Sequence, residues 1–126
     1  MFVSKLFVNF RWIEKTKIYI DTSIVGGYFD EKFEVATKAL FKRLENKEVI
    51  FVISEVLTGE LEGAPQHVKT LLDNYKDDCF EEVYLTDEAK ALANCYIAEG
   101  VMTAKYIDDC RHIAIATINK VDILAS

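Results

Sequence analysis

Acidic residues follow predicted strands or begin predicted helices at several points of this sequence. Asp21 comes directly after the strand-like segment 17–20, and Glu60 lies in the helix expected after the next apolar run. Asp108 and Asp109 stand near the beginning of an apolar helix. Carboxylate oxygens are the ligands that Mg²⁺ and Mn²⁺ prefer in proteins. The residue types therefore indicate a divalent-metal site if the fold brings these side chains together.

Each of these acids also has an ordinary structural explanation. Asp is among the preferred N-cap residues, so Asp21 also fits the first position of a helix. A Glu in a helix, such as Glu60, usually belongs to a solvated face. The helix dipole explains one acid at 108–109. A pair of acids beside so apolar a helix is harder to explain, because a carboxylate drawn toward the core needs a partner cation. Periodicity does not choose between Asp108 and Asp109.

The elements that must position these acids can be read from hydrophobic patterning and capping residues. Helix caps are predicted at Asp21, Ser54 and Thr86. The order β-α-α-β-α-α-β-α-α-β requires crossover connections, and therefore a parallel sheet in a three-layer α/β/α sandwich. Ligands bind beyond the carboxyl ends of such strands, where Asp21 is placed. The predicted strands are 17–20, 49–53, 82–85 and 121–124.

The predicted helices carry apolar residues at helical spacing. One helix runs from about Phe33, another ends at Gly100, and the last covers 106–119. Pro65 is expected to open a helix whose buried stripe consists of Val68, Leu71, Leu72 and Tyr75.

Composition and charge limit the class of protein. The 126 residues are 51% hydrophobic and 29% charged, which is typical of a single globular domain. Three widely spaced cysteines without a CxxC pair predict reduced thiols in a cytoplasmic protein. The net charge of −6 argues against loose, charge-driven binding of nucleic acid. Cations bound by clustered acids would reverse the local sign and attract phosphate.

The domain is expected to cover residues 17–126. The segment 1–16 is interrupted by Lys5, Asn9 and Arg11, and it lacks a continuous apolar stretch and a cleavage site. We therefore expect a tail or an extra strand there, rather than a signal peptide or a membrane span.

Three motifs of the sequence, and the strand segment that follows the last of them, resemble the PIN-domain family, which includes the ribonuclease toxins of toxin–antitoxin pairs. Ile18-Tyr-Ile-Asp-Thr-Ser23 is similar to the family's first strand, which ends in Asp followed by Thr or Ser. The segment 53–61 is similar to its second strand and helix, in which a Glu-Leu pair follows a strand-end Ser. The segment 109–116 resembles its Asp-x-x-His/Ile-x-Ala helix, and 121–126 the strand that follows. The likeness covers about 17–126.

The resemblance implies an acidic cluster of Asp21, Glu60 and Asp109, with Ser23 orienting Asp21. The family motif, rather than periodicity, selects Asp109 over Asp108. The implied activity is that of an endoribonuclease in which Mg²⁺ or Mn²⁺ makes a water more acidic for attack on a phosphodiester. The implied partners are RNA, an antitoxin protein and a second copy of the chain, with no membrane.

Several alternatives qualify this interpretation. The family supplies a fourth acid or Asn just beyond its fourth strand, and the sequence reaches Ser126 where that segment would begin. We therefore also consider a catalytically weak or inactive PIN-like module that binds a partner protein. His112 is expected to be hydrogen-bonded and structural rather than a general base. A receiver domain needs a pair of acids after its first strand, and a haloacid-type phosphatase needs Asp-x-Asp, but Asp21-Thr-Ser23 provides neither.

Overall fold

A computed structural model describes residues 15–125, so most of the predicted N-terminal tail or extra strand (1–16) and Ser126 lie outside the described residues. The order of strands and helices agrees with the order predicted from the sequence. Short 3₁₀ turns cover Leu71–Asn74, Asp77–Cys79 and Ala104–Tyr106. The main elements are β1 (Thr16–Ile20), α1 (Thr22–Gly27), α2 (Glu34–Glu45), β2 (Val49–Ser54), α3 (Glu55–Leu61), α4 (Gln66–Lys69), β3 (Phe80–Val83), α5 (Asp87–Ala98), α6 (Ile107–Ile118) and β4 (Ile123–Ala125).

The four strands form one parallel sheet in the order β3-β2-β1-β4. After β1 the chain adds β2 and β3 on one side, and it returns to add β4 on the other side of β1. The strand order therefore reverses at β1, whose last residue, Ile20, pairs with Ala125. Such a switch point opens a crevice beyond the carboxyl ends of the strands. Asp21 is the first residue after β1 at this point.

Helices cover both faces of the sheet, which confirms the predicted three-layer α/β/α sandwich. Side chains alternate between the faces along β1. Ile18 and Ile20 pack with Phe51 and with apolar residues of α1 to α4. Tyr19 points the other way and packs with Val52 and with α5 and α6. The middle strands are buried on both sides, as their continuous apolar runs predict.

Polar side chains begin three of the helices, as predicted. The side chains of Asp21, Ser54 and Thr86 each accept a hydrogen bond from a backbone N–H two or three residues later. The chain beyond α5 reaches Gly100, whose φ of 76° lies in the left-handed region that suits glycine. Asp21 and Ser54 thus stand at the carboxyl ends of the two central strands.

The helix predicted after Pro65 is shorter than the sequence suggests. Helix α4 ends at Lys69, and a 3₁₀ turn replaces the rest. The Thr70 hydroxyl donates to the carbonyl oxygen of Gln66 at 3.0 Å, a local bond that competes with regular helix.

The third strand begins two residues before the predicted segment 82–85. Val83 is buried at the end of β3, whereas Tyr84 is exposed. The backbone N–H of Leu85 donates to the Glu55 carboxylate at 2.6 Å instead of joining the sheet. A side-chain acceptor at this position therefore ends β3.

All three cysteines are free, as their spacing predicts. Within residues 15–125, no helix is long and apolar enough to cross a membrane.

Candidate functional site

Asp21 is held at the mouth of the sheet by the turn that it begins. Its Oδ1 accepts the backbone N–H of Ser23 at 3.0 Å and the Ser23 hydroxyl at 2.5 Å. The expected contact between Ser23 and Asp21 is therefore present. Both bonds use the same carboxylate oxygen, so Oδ2 accepts no hydrogen bond from the described residues. Asp21 can therefore cap the helix and also bind a metal ion, because capping uses Oδ1 and leaves Oδ2 without a hydrogen bond from the described residues.

Glu60 reaches the same end of the sheet from α3. Its Oε1 accepts the Thr22 hydroxyl at 2.6 Å and lies 2.9 Å from Nε2 of His112. Its side chain is 32% exposed. Thr22 is the neighbour of Asp21 in the chain, so a single residue joins the two predicted acids. As in Asp21, one oxygen receives the contacts, and Oε2 accepts no bond within the part of the chain that the structure describes.

A buried polar pair lies behind Glu60. Tyr19 is fully buried and His112 is 4% exposed. The Tyr19 hydroxyl is hydrogen-bonded to Nδ1 of His112 and, at 2.8 Å, to Oγ of Ser54. His112 is thus hydrogen-bonded on both ring nitrogens, as expected for a structural role.

The charges of two of the predicted acids affect the pKa of the Tyr19 hydroxyl. The pKa of Tyr19 is raised to about 12, with burial as the largest cause. The hydrogen bond with Ser54 opposes this rise, and the charges of Asp21 and Glu60 contribute to it. The phenol is therefore neutral at physiological pH. The charges of two of the three predicted acids thus act on the same buried group.

Asp109 lies in the first turn of α6 and is exposed, like its neighbour Asp108. Asp108 pairs with Arg111 at 3.8 Å. Asp109 forms no hydrogen bond or ion pair with the residues that the structure describes. Helix spacing places both acids within one turn of His112, which contacts Glu60. The choice of Asp109 as a ligand stays a prediction, although its carboxylate has no competing partner among residues 15–125.

The donor chemistry of Asp21 and Glu60 suits a hard cation. Mg²⁺ is usually held through one or two carboxylates, together with waters and substrate phosphates, and each of these acids has one oxygen without a protein donor. No group of three His, Cys, Asp or Glu side chains between residues 15 and 125 is arranged to hold an ion. The chemistry of Asp21 and Glu60, each with one carboxylate oxygen that accepts no hydrogen bond from the described residues, is compatible with Mg²⁺ or Mn²⁺.

Sequence reasoning did not find the contacts of Tyr19 and Thr22. The sequence predicts only that Tyr19 lies in the strand 17–20 and that Thr22 follows the capping residue Asp21. One signal was available, because a tyrosine in a doubly covered strand must find a partner for its hydroxyl. Which partner it finds depends on α6, whose position relative to β1 is a tertiary property.

The chain resembles known proteins in structure. No protein-family model and no curated protein sequence matches this chain. The structure of VapC20 from Mycobacterium tuberculosis, a toxin that cleaves the sarcin–ricin loop, matches with a TM-score of 0.64 and 11% identity over 85% of this chain and 86% of that one. A toxin–antitoxin complex from Klebsiella pneumoniae matches with a TM-score of 0.59 and 15% identity over 86% and 84%. The chain therefore shares the fold of these structures, a PIN-like α/β fold as its motifs predict.

Proposed function

We propose that this chain is a metal-dependent endoribonuclease of the PIN type that acts in the cytoplasm as a toxin neutralised by an antitoxin. The observation that carries the proposal is the hydrogen bond from Thr22, the residue after Asp21, to Glu60 at the switch point of the sheet. The fold shared with toxins supports it. RNA would be the substrate, and an antitoxin protein and a second copy of the chain would be the partners.

In this mechanism the acids of the chain hold a cation and do not attack the substrate themselves. Asp21 and Glu60 would bind Mg²⁺ or Mn²⁺ through Oδ2 and Oε2, and Asp109 would complete the set from α6. The bound ion would supply a more acidic water for attack on the phosphodiester. Ser23 and Thr22 fix the two carboxylates by donating to Oδ1 and Oε1. Neutral donors of this kind leave the negative charge of each acid available for the ion.

The test combines Mn²⁺ binding with RNA cleavage. Calorimetry and cleavage of single-stranded and stem-loop RNA, with and without EDTA, should show Mn²⁺ binding and metal-dependent cutting by the native chain. Asp21→Asn and Glu60→Gln should abolish both, and Asp109→Asn should weaken both. Asp108→Asn is the matched control, because Asp108 already pairs with Arg111 on the surface. Cleavage that survives in Asp21→Asn and Glu60→Gln, or that EDTA does not affect, would refute the proposal.

A groove beside the site favours a second candidate function, a catalytically weak PIN-like module that binds a partner protein. The groove has a volume of about 540 Å³ and lies between α1 and α2. Small residues at Gly26, Gly27 and Ala36 open it, and Phe33 at its rim is 56% exposed. Failure of the native chain to bind Mn²⁺ or cut RNA, together with binding of a partner that Ala36→Trp prevents, would favour this candidate.

A further inference from the structure

We propose that Tyr19 and His112 are positioning residues, which form a buried relay that orients the Glu60 carboxylate so that Oε1 is held and Oε2 faces the site. This proposal rests on the role of Glu60 in the function proposed above. Neither residue would touch the ion or the RNA. Their effect would pass through Glu60.

The relay joins four elements of the fold. It begins at Ser54 at the end of β2, passes through Tyr19 in β1 and His112 in α6, and ends at Glu60 in α3. Ser54 is 2% exposed, and it is fixed further because its Oγ accepts the N–H of Leu57 at 3.3 Å. The first three members are thus immobilised inside the core, and only Glu60 reaches the solvent.

When the His112 ring is neutral, the Glu60 carboxylate determines the direction of every hydrogen bond in the relay. An ionised carboxylate can only accept, so Nε2 of His112 must carry the proton that it donates to Glu60. Nδ1 of the neutral ring then accepts from the Tyr19 hydroxyl, and the Tyr19 oxygen accepts from the Ser54 hydroxyl. All donors and acceptors along this path are satisfied.

A purely structural role accounts for a partner on each ring nitrogen of His112, but not for two donors that meet on one oxygen of Glu60. Buried polar groups need partners, and Tyr19 and Ser54 already satisfy each other and one nitrogen of His112. The remaining N–H is directed at a partly exposed carboxylate that water would solvate. Thr22 donates to the same oxygen, so two neutral donors converge on Oε1 and none on Oε2. Among the described residues, no Lys or Arg pairs with Glu60, so its charge is not neutralised.

The first test measures the tautomer of His112 by long-range ¹H–¹⁵N NMR. The chain has two histidines, and the other, His67, is exposed, so His67→Asn assigns the signals. The proposal requires the Nε2–H tautomer in the native protein. It also requires the ¹⁵N signal of Nδ1 to move in Tyr19→Phe while the Nε2–H tautomer is retained, because Nδ1 loses its donor and Glu60 still accepts from Nε2. A native Nδ1–H tautomer, or an Nδ1 signal of His112 that Tyr19→Phe leaves unchanged, would overturn the proposal.

The second test replaces His112 by Gln or Asn, and each amide side chain keeps one of the two hydrogen bonds of the ring. The amide nitrogen of His112→Gln can occupy the place of Nε2 and still donate to Glu60. The amide oxygen of His112→Asn can replace Nδ1 and still accept from Tyr19, but it leaves Glu60 without this donor. Mn²⁺ affinity measured by calorimetry should fall about tenfold in His112→Asn and about threefold or less in His112→Gln, as is usual when the hydrogen-bond partner of a ligand is lost. Equal affinities of both folded variants and the native chain would overturn the proposal.

The ¹³C signal of the Glu60 carboxyl group separates failure of the relay from failure of the proposed function. Without any metal, this signal should move in His112→Asn and stay near its native position in His112→Gln. If the native chain does not bind Mn²⁺ but this pattern is found, the metal function fails and the orienting relay stands. If the signal is the same in both variants and the native chain, the relay does not orient Glu60, whatever the metal affinity.

Discussion

The hydroxyl of Thr22 donates a hydrogen bond of 2.6 Å to Oε1 of Glu60. Thr22 is the first residue of α1, directly after Asp21, and Glu60 belongs to α3. This bond fixes the distance between the helix that Asp21 begins and the helix that carries the second acid. Most of the predicted behaviour of the site depends on this connection.

Thr22→Val should weaken Mn²⁺ binding about tenfold, because it removes one of the two donors to Oε1 but keeps the shape of the side chain. The loss of one partly buried hydrogen bond should reduce the free energy of unfolding by about 1 kcal/mol. Calorimetry and urea unfolding measure the two effects. Thr22→Ser is the control and should behave like the native chain, and equal Mn²⁺ affinity of the Val and Ser variants would contradict the role given to this hydroxyl.

Asp21→Asn should remove Mn²⁺ binding without weakening the fold. Asn caps helices about as well as Asp, so the turn into α1 is retained. Without metal, the substitution also removes a negative charge next to Glu60, so thermal stability should be unchanged or higher. Thermal melts with and without Mn²⁺ test both points. An Asp21→Asn protein that is stabilised by Mn²⁺ as much as the native chain would exclude Asp21 as a ligand.

Alkaline pH should destabilise the protein through Tyr19. Its pKa is 10.0 when unperturbed and about 12 in the fold, where burial is the main cause of the rise. The unfolded chain therefore loses this proton first, so the stabilisation is complete below pH 10 and is lost as the pH rises to about 12. The contribution at stake is about 2–3 kcal/mol.

Urea unfolding between pH 9 and pH 12 checks this prediction. The pKa of Tyr75 is also raised to about 12, mainly by burial. Tyr75 therefore provides a comparison from the other face of the sheet. Tyr19→Phe and Tyr75→Phe should each flatten the dependence of the unfolding free energy on pH. If Tyr19→Phe leaves the slope unchanged, the phenol does not titrate in this range.

Two adjacent glycines of α1 should respond in opposite ways to Ala. A Cβ at Gly27 would lie 2.9 Å from Oγ1 of Thr37, whereas a Cβ at Gly26 would meet no atom within 4 Å. Gly27→Ala should therefore push α1 away from α2 and cost about 1–3 kcal/mol. Gly26→Ala should stabilise the helix by about 0.5–1 kcal/mol. Urea unfolding distinguishes them, and similar effects of both would contradict the close approach of the helices.

The sequence predicted the fold well because its signals are local. Strand runs, caps such as Ser54 and Thr86, and Gly100 after α5 are encoded by neighbouring residues, and the order of elements then requires a parallel sheet. The limits of β3 were wrong because Glu55, far away in sequence, binds the N–H of Leu85. Such a contact leaves no periodic pattern.

The site was predicted less completely, because its contacts join residues that are far apart in the sequence. The positions of Asp21 after a strand and Glu60 in a helix were visible in the sequence, and in the fold the charges of both act on the Tyr19 hydroxyl. The contacts of Tyr19, Thr22 and His112 were not visible, because β1, α1, α3 and α6 contribute one residue each. The selection of Asp109 rests on its motif and remains a prediction that Asp109→Asn tests.

The neutral donors around the acids have a consequence for the order of events in the proposed function. Within residues 15–125, neither Asp21 nor Glu60 forms an ion pair with Lys or Arg, so the mouth of the sheet carries uncompensated negative charge. A polyanion such as RNA meets repulsion there until a cation changes the local sign. Association would then be sequential, with the ion entering first and the nucleic acid second. The free concentration of divalent cation, rather than that of RNA, would decide when the protein becomes active.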